Sequence, residues 1–172
     1  MNKHTIIVIV ASVVIVASIG FSAWNIFSTD YLQFKGVKQN FSYFDLMNNG
    51  KISMCNPLPL SVSFNNVKIS MIFDGRDIGV LDTSNVFLEP NLETKIQGKF
   101  TSETAKEAQY LALHFDSMYN DVIPTRIDLE KMIVVTEIQT KIIGVIPYAI
   151  INQYSGLEFW KMMEDVDNKY SC

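Results

Sequence analysis

Apolar and polar residues alternate with a period of two over much of the chain after residue 30, as in a β-strand that buries one face. The longest run, 62–73, changes phase once, and its apolar positions are Val62, Phe64, Val67, Ile69, Met71 and Phe73. Asn65 and Asn66 separate the two phases, which predicts a β-bulge that turns both halves toward one core. Asp74-Gly75 then favours a tight turn into a return strand.

The same alternation predicts strands on both sides of this hairpin. Asn48-Asn49-Gly50 and Pro90-Asn91 supply turn signals, and Gly144 and Pro147 bound the run whose even-numbered residues predict a buried face. The additional strands are predicted at 32–34, 41–47, 51–55, 86–89, 92–100, 132–142 and 147–154. About seven short strands with turn signals at this spacing predict a mainly β fold, an antiparallel β-sandwich of two sheets, with a closed barrel as the alternative.

One segment has the helical period instead. Ala108, Leu111, Ala112 and Phe115 follow helical spacing, which predicts one amphipathic helix at about 102–119 lying on the sandwich. His114 falls at the border of the apolar stripe, where a histidine with satisfied hydrogen bonds is the expected interpretation. The segment 154–166 mixes apolar and charged residues and is compatible with a short terminal helix that docks on the sandwich, the membrane surface or another subunit.

The first 28 residues have a different pattern, without charge from residue 5 to residue 27. A helix of about 20 such residues crosses a bilayer core of ~30 Å, so the sequence predicts a single transmembrane helix, an uncleaved signal anchor. A cleaved signal peptide is the alternative, but its apolar region is shorter and its cleavage site better formed. The predicted division is an anchor at 1–28, an extracytoplasmic domain at 29–160 and a C-terminal tail at 161–172, with the N-terminus inside.

Net charge and cysteine content reduce the number of function classes that fit the chain. The net charge of −4, from 14 basic and 18 acidic residues, disfavours nucleic-acid binding. The two cysteines, Cys55 and Cys172, match neither a zinc spacing nor a disulfide framework, so we expect a buried Cys55 and a free Cys172, with a bridge between them as the alternative. Asn40-Phe41-Ser42 matches the glycosylation acceptor triplet, which would suit an extracytoplasmic domain.

Catalytic chemistry has no recognisable motif in the chain. The sequence lacks GxSxG, HExxH and a glycine-rich phosphate loop, so we expect a non-enzymatic protein without cofactor or metal. Asp74, Asp77 and Asp82 could offer carboxylates to Ca²⁺, although a solvated turn is the preferred interpretation. An exposed aromatic face that binds a partner is the alternative to core packing for one further set of residues, Phe41, Tyr43, Phe44, Tyr148, Tyr154, Phe159 and Trp160.

The order of these features resembles the water-stress and hypersensitive-response (WHy) domain, the group-2 late embryogenesis abundant type. Asn56-Pro57 closes a strand, and Asp74-Gly75 precedes a return strand that contains Gly79. A strand at 95–100 precedes the helical segment, and TKIIGVIPY, with Gly144 and Pro147, is similar to the strand-Gly-x-x-Pro ending of the family. The resemblance covers roughly residues 31–160; 37–50 and the segment after Phe159 depart from it.

The resemblance implies an immunoglobulin-like or fibronectin-III-like sandwich without a known catalytic site, in a membrane-anchored prokaryotic member, bacterial or archaeal. It also implies a stress-protective or protein-binding module, whereas the contact with the bilayer through residues 5–27 is predicted from the uncharged run itself. One alternative is an accessory single-span subunit of a larger membrane complex, in which small residues of the span pack against other helices. A weaker alternative is an apolar-ligand or lipid carrier with a pocket between the sheets.

Overall fold

The computed structural model describes residues 2–37, 40–119, 129–167 and 169–172. Within these ranges, seven antiparallel strands form one sheet, in the order β1-β2-β5-β4-β3-β6-β7, which curls into a half-barrel. The strands are β1 (Gln33–Gly36), β2 (Lys51–Asn56), β3 (Val62–Phe73), β4 (Arg76–Leu88), β5 (Leu92–Thr101), β6 (Met132–Ile142) and β7 (Ile146–Ser155). The α-helices are α1 (Lys3–Ser28), α2 (Tyr43–Asn49), α3 (Ala105–Tyr119) and α4 (Gly156–Glu164).

The hairpin of β3 and β4 is confirmed, and so is its turn. Asp74 and Gly75 both have positive φ, at 50° and 75°, as a two-residue hairpin turn requires. The Asp74 N–H donates to the Lys131 carbonyl at 3.2 Å, which ties this turn to the start of β6. The even-numbered residues of β6 are buried from Met132 to Thr140, as predicted from their alternation.

The bulge predicted at Asn65 and Asn66 was wrong. The buried face of β3 does change phase there, but β4 changes phase opposite it, at Asn85 with a φ of 50°. The register between β3 and β4 therefore stays constant. Phe64 lies opposite Val86 on one side of the phase change, and the paired residues on the other side keep the same offset. The register shift lies instead between Met71 and Ile72, where Ile78 is the extra residue of β4.

The strand predicted at 41–47 was also wrong, because this segment forms α2. Ser42 is the N-cap, and its hydroxyl accepts the Asp45 N–H at 3.0 Å. Gly50 ends the helix with a φ of 60°, and its N–H donates to the Leu46 carbonyl. The apolar residues of this short segment fit helical and strand periods alike, so the caps decide.

β5 pairs with two different strands and bends the sheet. Its first part, from Leu92 to Gln97, pairs with β2, and its last part, from Gly98 to Thr101, pairs with β4. Gly98 allows close packing at the change of partner, since a Cβ there would lie 2.8 Å from Leu81 Cδ1. Helices α2, α3 and α4 contribute Leu46, Phe115 and Phe159 to the core that the curved sheet encloses.

The C-terminal segment is fixed to the domain, and the expectation of a free Cys172 was wrong. Cys172 is bonded to Cys55 of β2, with their Cα atoms 5.8 Å apart. The Ser171 N–H donates to Gln33 Oε1 at 2.8 Å. Because Gln33 of β1 lies opposite Cys55 in the sheet, this contact brings the terminus to its partner cysteine.

Candidate functional site

The helix α1 is long and apolar enough to cross a membrane. It has 26 residues, and its most apolar window reaches a mean hydropathy of 2.7 with little of that window buried. At 1.5 Å per residue such a helix exceeds the ~30 Å bilayer core. Its apolar side chains from Ile6 to Phe21 are largely exposed, so the sheet packs only against the end of the helix.

Polar side chains join the last turns of α1 to one end of the half-barrel, which we call the proximal end. The Ile143 N–H donates to Ser22 Oγ at 2.8 Å, and the Ser63 N–H donates to Asn25 Oδ1 at 3.2 Å. Ser22 and Asn25 are buried at this junction, and Trp24 packs against the core. Sequence reasoning missed this contact, although the recurrence of Ser22, Asn25 and Ser28 at three-residue intervals marks one face of the helix.

The proximal end exposes many large apolar side chains. They lie on the segment after α1, on the loop between β2 and β3, at the adjoining ends of β4 and β5, and on the hairpin of β6 and β7. Val145 of this hairpin is 75% exposed. The set comprises Tyr31, Leu60, Phe87, Leu92, Ile143, Val145, Ile146 and Tyr148. Exposed apolar side chains that gather at one end of a fold are typical of interaction sites, so we take the proximal end as the candidate functional site.

Asn56 stabilises a loop at this end, and Pro57 is the first residue of that loop. Asn56 is fully buried, and its Nδ2 donates to the Leu60 carbonyl at 2.9 Å while its Oδ1 accepts the Leu58 N–H at 3.2 Å. Its carbonyl accepts the Asn91 N–H at 2.7 Å. One buried amide thereby holds the loop after β2 and the turn between β4 and β5, which is a structural role.

The other residues singled out from the sequence are divided between the two ends. Asp74 and Gly75 form the turn at the opposite, distal end, where Gly79 also lies, and a Cβ on Gly79 would lie 2.4 Å from Phe100 Cζ. Gly144 and Pro147 belong to the proximal hairpin. The structure therefore does not bring these residues together into one site.

The acidic cluster considered for Ca²⁺ does not converge. Asp74 pairs with Lys131 at 3.1 Å, whereas Asp82 Oδ1 accepts a hydrogen bond from Asn66 Nδ2 at 2.8 Å. Within the ranges described above, no three histidine, cysteine or acidic side chains are placed to share a metal ion. The half-buried His114 lies within hydrogen-bonding distance of the Tyr110 carbonyl, with Nδ1 at 3.1 Å.

Most of the aromatic residues considered as a binding face are packed instead at the distal end. Tyr43 lies at the centre, donates from its hydroxyl to the Gly156 carbonyl at 2.6 Å, and stacks on Phe159 with ring centroids 6.2 Å apart. We call this cluster the aromatic plug; its members are Phe41, Tyr43, Phe115, Tyr119, Phe159 and Trp160. Burial raises the pKa of Tyr43 well above its ordinary value, so its hydroxyl stays protonated and serves as a donor.

Asp116 of α3 holds the start of α2 against this plug. Its carboxylate accepts hydrogen bonds from the Ser42 hydroxyl at 2.6 Å, the Tyr43 N–H at 2.7 Å and the Phe44 N–H at 3.0 Å. Burial raises the pKa of Asp116, and these three hydrogen bonds oppose that shift. Asn40 is exposed beside this contact, but the Ser42 hydroxyl of its glycosylation triplet is already engaged.

A cleft of about 610 Å³ lies between the segment after α1, helix α4 and the C-terminal residues. Charges of both signs line it, among them Glu158, Lys161 and Asp165. Lys35 approaches the same segment, with its Nζ 3.5 Å from Asp165 and 5.0 Å from the centre of the Tyr170 ring. The ion pair between Lys35 and Asp165 thus joins β1 to the C-terminal segment beside the cleft.

Comparisons with known proteins add little. No family model matches the chain, and no curated protein matches it. Among solved structures, a solution structure of AT1g01470 from Arabidopsis thaliana aligns with 72% of this chain and 76% of its own, at 16% identity and a TM-score of 0.19. Similarity at that level supports no conclusion about fold or function.

Proposed function

We propose that the chain is a membrane-tethered, extracytoplasmic, non-enzymatic β-module of the WHy type that binds or protects other proteins. The observation that carries the tethered, extracytoplasmic location in this proposal is the disulfide between Cys55 and Cys172, in a domain that follows a helix of membrane-spanning length. Disulfides persist in oxidising compartments and are rare in reducing ones. A bridge in the domain therefore favours a location outside the cytoplasm, with the N-terminus of α1 inside.

The sheet has features that suit a sandwich relative. β5 changes partner at Gly98, so the strands from β1 to the first half of β5 turn away from the others. β2 is buried on both faces from Ile52 to Asn56, as an inner strand of a layered fold is. In this proposal the half-barrel is a variant of the WHy sandwich, with the plug and its helices filling one end.

Thiol labelling in intact cells tests the orientation. Asp77→Cys places a single free thiol at the exposed distal turn, because the native cysteines are bonded to each other. A membrane-impermeant maleimide should label this variant without permeabilisation. The matched variant Asn2→Cys should be labelled only after the membrane is opened. Labelling of Asn2→Cys alone in intact cells would overturn the proposed orientation.

A complex subunit is the second candidate function, and the free edge of β7 favours it. Among the strands of the described residues, β7 pairs with β6 alone, and it exposes Tyr148 and Ile151 along its ten residues. An open edge of this length accepts an additional strand from a partner. Native mass spectrometry from mild detergent separates the candidates: a lone chain supports the independent module, and a stoichiometric partner supports the subunit.

A further inference from the structure

We infer that the tip of the β6–β7 hairpin, residues 143–146, is a second membrane anchor that inserts into the lipid interface beside α1. This inference rests on the proposed membrane span. The tip is tied to the helix by the Ile143 N–H, which donates to Ser22 Oγ at 2.8 Å. Ser22 lies within the uncharged run that ends at Phe27. The hydrogen bond therefore holds the tip beside a part of α1 that belongs to the proposed membrane span.

The direction of the hairpin agrees with this height. Ser63, at the start of β3, bonds to Asn25, whereas Ile143, just beyond the end of β6, bonds to Ser22. Moving from Asn25 to Ser22 climbs three residues, about 4.5 Å, toward the N-terminus of α1. Over the same distance along α1, the residue of the sheet that contacts the helix changes from Ser63, at the start of β3, to Ile143, in the hairpin turn. The tip therefore extends farther toward the bilayer centre than the adjoining sheet.

The side chains of the tip suit lipid better than water. Ile143, Val145 and Ile146 are 44%, 75% and 54% exposed, and Gly144 between them has no side chain. Ile143 also has a φ of 54°, an unfavourable conformation for a β-branched residue. Polar residues that adopt positive φ more easily, such as Asn or Asp, are absent from this turn. An apolar residue held here at a conformational cost is consistent with selection for contact with lipid.

The backbone of the tip also has internal partners, which entry into the interface requires. The Ile143 N–H is satisfied by Ser22, and the Val145 N–H donates to the Ile142 carbonyl at 3.2 Å. Ile142 and Ile146 form the first pair of the ladder. These contacts pair the N–H groups of Ile143 and Val145 where water is scarce.

The residues next to the tip on both strands of the hairpin are more polar than the tip itself, as expected for a segment that enters the membrane interface. Lys141 and Tyr148 lie in the second and third pairs of the ladder, and both side chains are exposed. A lysine at this depth reaches phosphate groups with its ammonium, and a tyrosine places its ring among the headgroups. No acidic residue occurs between Lys141 and Glu158, so β7 presents no negative charge to anionic lipid.

Fluorescence quenching by lipid tests the inference on the full chain in phosphatidylcholine and phosphatidylglycerol vesicles. Val145→Cys introduces the one free thiol, which carries an environment-sensitive nitrobenzoxadiazole dye. Lipids with a nitroxide on the acyl chain should quench this dye strongly and leave the same dye at Asp77→Cys nearly unquenched. Equal, weak quenching at both positions would overturn the inference.

Two further measurements distinguish failure of the hairpin anchor from failure of the membrane span and from contact with a second copy of the chain. A dye at Ile15→Cys reports the span itself: quenching at Ile15 without quenching at Val145 overturns the hairpin anchor and leaves the membrane span standing. Loss of quenching at Ile15 as well means that the proposed span has failed. Efficient oxidative cross-linking of Val145→Cys between chains, with no quenching by lipid, identifies a second copy as the occupant and overturns the lipid assignment.

Discussion

Two hairpin turns at opposite ends of the same half-barrel begin with similar φ values and have opposite chemistry. Asp74 and Gly75 have φ values of 50° and 75°, and Ile143 and Gly144 have 54° and 73°. The distal turn is followed by Arg76 and Asp77, whereas the proximal turn is apolar from Ile142 to Ile146. Because the first two residues of both turns have similar φ values, these backbone angles do not explain the difference in side chains. We propose that the difference in side chains reflects the surroundings, which are water at the distal turn and lipid at the proximal turn.

The two ends also differ in how their apolar residues are covered. At the distal end the aromatic plug completely buries Tyr43 of α2 and Phe159 of α4. At the proximal end, Val145 and Leu60 remain more than half exposed in the isolated chain. The distal end should therefore determine stability, and the proximal end should determine attachment. The following substitutions test this division.

Phe159→Ala should have the largest effect on stability. Phe159 is fully buried in the plug, and removing such a ring costs about 3–5 kcal/mol, because apolar contacts are lost and a cavity remains. Denaturant titration of the full chain in detergent measures the free energy of unfolding. Leu157→Ala, on the same helix but 39% exposed, is the matched control and should lose far less. Equal losses would mean that the plug does not carry the stability of the distal end.

Cys172→Ser should come next. The bridge closes a loop with a sequence separation of 117, and removing a disulfide of this kind costs roughly 2–4 kcal/mol, largely through the entropy of the unfolded chain. Thermal unfolding with and without reductant checks it. Reductant should lower the stability of the wild type to that of the variant and leave the variant unchanged. A wild type insensitive to reductant would contradict this account of the terminus.

Asp116→Ala should have an intermediate effect at the distal end. It leaves the N–H groups of Tyr43 and Phe44 without their acceptor, at about 1–3 kcal/mol for an unsatisfied buried group. Denaturant titration measures the loss. Ser117→Ala, next in the helix and bonded only to the preceding turn, is the control and should change little.

The pH dependence of Asp116→Asn should differ from that of the wild type. The folded-state pKa of Asp116 is raised, so the folded chain takes up this proton before the unfolded chain does. The wild type should therefore gain stability from this group as pH falls through the folded-state pKa, and lose it again as pH rises. Asp116→Asn cannot make that gain, and unfolding measured across the acidic range checks the difference. Identical pH profiles would contradict the raised pKa.

Val145→Ser should have the smallest effect on unfolding. A residue that is 75% exposed contributes little to the folded domain, so the change should stay within about 0.5 kcal/mol. Denaturant titration in detergent, alongside Arg76→Ser at the distal turn, checks this. A loss comparable with that of Phe159→Ala would show that the hairpin tip packs on protein and is not an exposed anchor.

The sequence predicted elements whose patterns are local and unambiguous. β3, β6 and their turns follow from strict alternation and from turn residues such as Gly75. α2 was missed because its seven residues fit two periods, and its caps at Ser42 and Gly50 decide between them. The bridge to Cys172 was missed because pairing across most of the chain depends on the β1–β2 register. The exposure of apolar side chains at the proximal end was not predicted either, because a strand pattern does not distinguish apolar residues inside the core from those outside it.

The most direct test of the central claim compares both ends of the half-barrel in one reconstituted membrane. Nitroxide labels at Val145→Cys and Asp77→Cys report collisions with oxygen, which concentrates in lipid, and with a water-soluble nickel chelate. The account predicts that oxygen dominates at Val145 and the nickel chelate at Asp77. Domination by the nickel chelate at both positions would contradict it.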